Sequence, residues 1–110
     1  MEVYNTLGPG FREETYKKAL IEELKRQKIR FDIEYPIQII YKDKSIDEYR
    51  LDMVVEGKII VELKAVNEMH PRFEAQLLSY LKASGLKLGL LVNFGSDELE
   101  IKRFLNPHFK

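Results

Sequence analysis

The stretch Tyr49-Arg50-Leu51-Asp52-Met53-Val54-Val55-Glu56-Gly57-Lys58-Ile59-Ile60-Val61-Glu62-Leu63-Lys64-Ala65 decides the reading of this chain. Successive strand residues point to opposite faces, so residues two apart share one. Glu62 and Lys64 therefore project together, while Val61, Leu63 and Ala65 project the other way. Leu51, Met53 and Val55 read as the matching apolar face of the preceding strand, with Asp52 on its polar face. For both apolar faces to meet one core, Asp52 has to share a side of the hairpin with Glu62, which demands an odd-numbered loop around residues 56–58. A three-residue loop with Gly57 at a left-handed position satisfies this. Asp52 then stands opposite Glu62 or diagonal to it, with Cβ atoms roughly 5 to 8 Å apart.

Two carboxylates at that separation repel unless a cation lies between them. A hard divalent ion with oxygen ligands, Mg2+ or Mn2+, suits the position, and Lys64 can meet a phosphate or an attacking water. This is the arrangement of a metal-dependent phosphodiesterase site. Taken alone, the same hairpin has a commoner meaning: a solvated sheet face, with Glu62 and Lys64 as an ion pair and Asp52 as an ordinary exposed acid.

Working outward, Gly8-Pro9-Gly10 is a turn, and residues 11 to about 28 carry a helical pattern with Tyr16, Leu20 and Leu24 on one stripe. Glu13 falls on that stripe and is expected to face the domain, whereas Glu14 is rotated toward solvent. Glu13 is also explained as a first-turn acid favoured by the helix dipole, or as the i, i+4 partner of Lys17. A strand is predicted over 31–41, where Pro36 suggests an edge position or a bulge, followed by a polar turn at Lys42-Asp43-Lys44-Ser45. The hairpin strands follow at about 46–55 and 58–66. Pro71 opens a second helix that stops at Gly85, with an inward stripe of Phe73, Gln76, Leu77, Tyr80 and Leu81. Gln76, if buried, needs hydrogen-bond partners, either backbone at the sheet edge or a phosphate or metal-bound water beside Glu62. Tyr80 is accounted for by packing. The continuously apolar run 86–94 reads as a strand covered on both faces, parallel to the strand before the helix. Leu99, Ile101 and Arg103 alternate in a final edge strand. The expected order is α-β-β-β-α-β-β, an α/β fold with a mixed sheet flanked by helices.

Composition limits the alternatives. At 110 residues, 45% hydrophobic and 33% charged, the chain has the balance of one globular domain, residues 1–110. Eighteen basic and eighteen acidic residues cancel, so any contact with nucleic acid has to come from a local patch. Lys82, Lys87, Lys102 and Arg103 are candidates for one, although a solvated face explains them as well. Without cysteine there is no disulfide, thiol nucleophile or cysteine-bound zinc. His70 and His108 lack ligand spacing and read as cap and tail residues. No segment reads as a membrane span or signal peptide, so a cytoplasmic setting is expected and no membrane partner.

With these residues in order, the chain resembles the GxxExxY family within the PD-(D/E)XK nuclease superfamily. The naming motif is Gly10-x-x-Glu13-x-x-Tyr16. The other matches are Tyr49-Arg50-x-Asp52, Val61-Glu62-Leu63-Lys64-Ala65, Gln76-x-x-x-Tyr80 and Leu90-Leu91-Val92-Asn93-Phe94-Gly95, together covering about residues 2–104. Leu51 stands where the superfamily's name has proline, and the helix that precedes Gly8 in longer relatives is expected to be clipped to residues 2–7.

The resemblance implies a restriction-endonuclease-like core. Asp52 and Glu62 become metal ligands, Mg2+ or Mn2+, with the Leu63 carbonyl and Glu13 as further ligands. Lys64 becomes the residue that orients water or stabilises the transition state. Gln76 and Tyr80 become the helix motif of nucleases similar to RecB, with Gln76 orienting ligands or touching phosphate. The expected activity is hydrolysis of nucleic-acid phosphodiester bonds, with DNA as the expected substrate. A domain this small covers little duplex, which points to a homodimer or partner subunit. The rival from another class is a nuclease-fold protein without catalysis that serves as a nucleic-acid-binding or protein-interaction module.

Overall fold

A computed structural model describes residues 2–109; Met1 and Lys110, the ends of the expected domain span, lie outside the described residues. The elements are α1 (Glu2–Leu7), α2 (Glu13–Arg26), β1 (Phe31–Tyr41), β2 (Lys44–Val55), β3 (Ile59–Lys64), α3 (Pro71–Ser84), β4 (Leu88–Asn93) and β5 (Glu100–Leu105). The five strands form one sheet in the order β1-β2-β3-β4-β5. All neighbours are antiparallel except β3 and β4, which run parallel across the α3 connection, as the strand-helix-strand pattern predicts. The short α1 adds one element to the expected order. Its Val3 is buried in the α2-side core, and Tyr4 donates from its hydroxyl to the Asp97 carbonyl.

Two apolar clusters lie on the two faces of the sheet. On one, Tyr16, Leu20 and Leu24 of α2 pack on Met53, Val61, Leu63, Val92 and Phe94. On the other, Leu77 and Leu81 of α3 pack on Ile37, Leu51, Val54, Ile60 and Leu91. Gly89 allows the second contact, because a Cβ there would stand 2.9 Å from a Leu77 methyl. Helix α3 starts with His70 as N-cap, whose Nδ1 accepts from the Arg72 amide at 3.0 Å, and ends on Gly85 at φ 72°. Pro36 is paired with Arg50 in an edge strand, and the turn between β1 and β2 uses Lys42 and Asp43, both at positive φ, so it is shorter than the four residues expected.

The hairpin loop is the three-residue type that the pattern requires: Val55 pairs with Ile59, and Glu56 and Gly57 take φ of 55° and 63°. One expectation is overturned. Leu51 does not share a face with Met53 and Val55; it packs against α3, whereas Met53 and Val55 pack against α2. The neighbouring strand is irregular at the same level. Glu34 adopts φ 50°, and the β1–β2 ladder passes from Ile33↔Met53 to Tyr35↔Leu51 without a pair at Glu34 and Asp52. A left-handed residue breaks the two-residue period of β1 there, at the level where Leu51 and Met53 of β2 take opposite faces.

Candidate active site

Asp52 therefore occupies the crossing point between the two layers. On the α2 side it meets Lys17, with Nζ to Oδ1 at 3.7 Å. On the α3 side its charge is felt by Tyr80. The β2–β3 ladder is formed by Val54↔Ile60 and Val55↔Ile59, a register that extrapolates to Asp52 opposite Glu62, but among the described residues those two pairs are the whole ladder.

Glu62 is fixed more tightly. It lies between Val61 and Leu63, both buried toward α2, so its own side chain shares the α3 side with Ile60 and is 8% exposed. Desolvation, then the Asp52 charge, push its carboxyl up to about 7 against the pull of Lys64 and Lys17. Lys64 projects with it as expected, its ammonium 4.5 Å from the centre of the Phe73 ring, a cation–π contact that holds the side chain from the α3 side. The Leu63 side chain is buried in the α2-side core.

Glu13 opens α2 and is exposed as a residue, yet its carboxyl belongs to the same field: partial desolvation raises its pKa, Lys64 and Lys17 lower it, and Asp52 raises it. Tyr80 is half-buried and stacks edge-on with Tyr49 at 5.9 Å; burial and the charges of Glu62 and Asp52 raise its hydroxyl pKa. Gln76 is exposed, so its expected place in a buried stripe is not realised; the 100° rotation per residue carries it past the contact line held by Leu77. Of the basic residues weighed as a patch, Lys102 is committed to Glu74 at 2.9 Å.

The motif tyrosine has a structural task. Tyr16 is fully buried, stacks on Phe94 at 4.2 Å, donates to the Gly8 carbonyl at 2.6 Å and accepts from the Phe11 amide at 3.1 Å. It thereby ties the glycine turn to the start of α2, which carries Glu13. Asn93 performs the corresponding task beyond Lys64. Its Oδ1 accepts from the amides of Val66 and Gly95 at 3.0 and 2.9 Å, and its Nδ2 donates to the Val66 carbonyl and to Glu100. Gly95 is obligatory there, because a Cβ would overlap the backbone of Ala65 and Val66.

The residue missed by sequence reasoning is Lys17. Helix spacing offered it as one explanation of Glu13, whose carboxyl it does influence, while its ion pair is with Asp52. Its place one turn after Glu13, on the stripe expected to face the domain, was the available signal. A surface depression of about 630 Å3 beyond the Asn93 clasp is lined by Glu68, Gly95, Asp97, Glu98 and Glu100; it does not include Asp52, Glu62 or Lys64, and its charge repels phosphate.

Asp52 on β2 and Glu62 and Lys64 on β3 lie on adjacent strands of a mixed sheet in an α/β protein. A family model described as PD-(D/E)XK nuclease superfamily matches residues 1–104, and the chain belongs to that superfamily. The crystal structure of SSO0001 has the same fold, with a TM-score of 0.64 and 21% sequence identity over 86% of this chain and 50% of that one. This chain thus spans about half the length of that protein. No curated protein matches the chain. Among the described residues no helix is long and apolar enough to cross a membrane.

Proposed function

We propose that this chain is a metal-dependent nuclease of the GxxExxY group, a single domain that hydrolyses phosphodiester bonds in nucleic acid, with DNA as its substrate. The observation that carries the reading is Glu62: a carboxyl 8% exposed, raised to about 7 by burial and by Asp52. A buried acid in the field of a second one favours a nearby positive charge. The donor set fits a hard divalent ion, Mg2+ or Mn2+, held by Asp52, Glu62 and the Leu63 carbonyl, with Glu13 as an outer ligand. When bound, such an ion supplies Lewis acidity toward a phosphate oxygen and a water of lowered pKa.

The chain's own groups do the rest. Lys64, steadied by Phe73, positions the attacking water or offsets charge developing on phosphorus. Exposed Gln76 is free to contact substrate phosphate, and Tyr80 closes the α3 side beside Glu62.

The test is cleavage of labelled single- and double-stranded DNA and RNA by wild type and Lys64→Ala, with Mg2+, Mn2+ or EDTA. Metal-dependent cutting is expected, reduced by about a hundredfold in the variant, with metal affinity retained. Asp52→Ala is expected to lose both cutting and affinity; normal cleavage by that variant contradicts the proposal. A second reading is favoured by a specific observation. Among the described residues no three acidic or histidine side chains converge as a ready-made ligand cluster, and the net charge is zero. That combination suits a nuclease-fold module that binds nucleic acid or a protein partner without cutting, and a clean wild type that binds labelled DNA but cuts no substrate selects it.

A further inference from the structure

The least expected contact in the molecule is that of Lys17. A lysine four residues after a glutamate on a helix ordinarily pairs with it. Here the ammonium reaches a different element, β2, and lies 3.7 Å from Asp52 Oδ1. Its side chain is 17% exposed, against 46% for Asp52. A partly buried ammonium is steadied by a nearby opposite charge. The separation exceeds the usual 2.7–3.2 Å of a direct hydrogen bond, so the pair is held by charge and can be exchanged without breaking a directional bond. Lys64 is engaged from the opposite layer, over Phe73, leaving Lys17 as the ion-pair partner of Asp52 among the described residues.

We propose that Lys17 is the resident counter-ion of Asp52 in the metal-free protein and that a divalent cation entering the site displaces it, so that Lys17 sets the affinity threshold for metal. This rests on the metal-site reading above and adds a positioning residue to it. The ammonium offsets Asp52 while the site waits, and a cation of twice its charge replaces it.

The experiment is calorimetric titration of Mn2+ into wild type, Lys17→Met, Lys17→Arg and Asp52→Asn, with melting temperatures in EDTA and in Mn2+. Methionine keeps the apolar stem and removes the charge. Lys17→Met is expected to bind Mn2+ about tenfold more tightly, or about 1.4 kcal/mol, to melt lower in EDTA, and to recover more than wild type when Mn2+ is added. Lys17→Arg is expected to stay near wild type. Lys17→Gln is a second neutral variant that reads the same affinity should Lys17→Met fail to fold. Unchanged or weaker Mn2+ binding by a folded neutral variant, while wild type binds and Asp52→Asn does not, overturns the counter-ion role and leaves the metal site standing. No binding by any variant, wild type included, overturns the metal reading itself and this inference with it.

Discussion

Strands β2 and β3 each contribute one acid to the candidate site, and they hold it in opposite ways. Glu62 sits on a central strand, paired in parallel with β4 along its whole length and buried between two apolar clusters. Asp52 sits where the β1–β2 ladder is interrupted and the chain changes face, with nearly half of its side chain open to solvent. The difference teaches how a packed sheet makes a polar site. One acid is immobilised by the core and carries the electrostatic cost of burial. The other is delivered by a local break in the period, which brings it within reach of both helices.

The rigidity of the β3 half is the easiest to break. Gly95→Ala forces a methyl into the Ala65–Val66 backbone, and because both neighbours are main chain they cannot turn away. The clasp of Asn93 on Val66 would open, and with it the segment that follows Lys64. A loss of about 3 kcal/mol, the upper end of overpacking costs, is expected in urea unfolding. A loss below about 1 kcal/mol would mean that the end of β3 yields, and that the two halves of the site are equally loose.

The electrostatic half of the comparison is sharpened by pH. The Glu62 carboxyl titrates near 4.5 in the unfolded chain and at about 7 in the folded one. Between those values the native state binds a proton that the unfolded state releases, so stability falls as pH rises through the window. The contribution is fully present below about 4.5 and lost above about 7, at most about 3 kcal/mol. Glu62→Gln, neutral at every pH, is expected to flatten the slope of urea midpoints between pH 5 and pH 8 in EDTA, and to be the more stable protein at pH 8. Persistence of the slope in the variant would assign it to other groups and make Glu62 a solvated acid like Asp52.

Much of this was legible in the chain because it depends on local rules. Residues 56–58 between two alternating runs specify the odd loop, Pro71 and Gly85 bracket α3, and an apolar strand after a helix implies parallel pairing. The pairing of Glu62 with Lys64 on one face was equally readable, since nothing disturbs β3. What failed was whatever depends on a second element. Leu51 was given the wrong face, at the level where β1 has Glu34 at positive φ, a residue type that carries no glycine-like signal for it. Lys17 was weighed only beside Glu13, because helix spacing is visible in sequence and its approach to Asp52 on β2 is not. Gln76 was put inward by a stripe one residue too wide.

The face change itself has the smallest expected effect and the most direct test. At φ 50°, Glu34 bears the crowding of Cβ against its following carbonyl, about 1–2 kcal/mol for an L-residue. Glycine removes that crowding but adds freedom to the unfolded chain, so Glu34→Gly is expected to fall within about 1 kcal/mol of wild type, on the stabilising side. Valine, branched at Cβ, tolerates the left-handed region worst, so Glu34→Val is expected to lose about 1–2 kcal/mol in urea unfolding. Forcing residue 34 back into the extended region would also turn Leu51 toward α2 and pull Asp52 away from Lys17, so Glu34→Val should weaken Mn2+ binding while Glu34→Gly leaves it intact. Equal stability and equal binding in the two variants would mean that β1 runs regularly through residue 34, and that Asp52 owes its position to the hairpin loop instead.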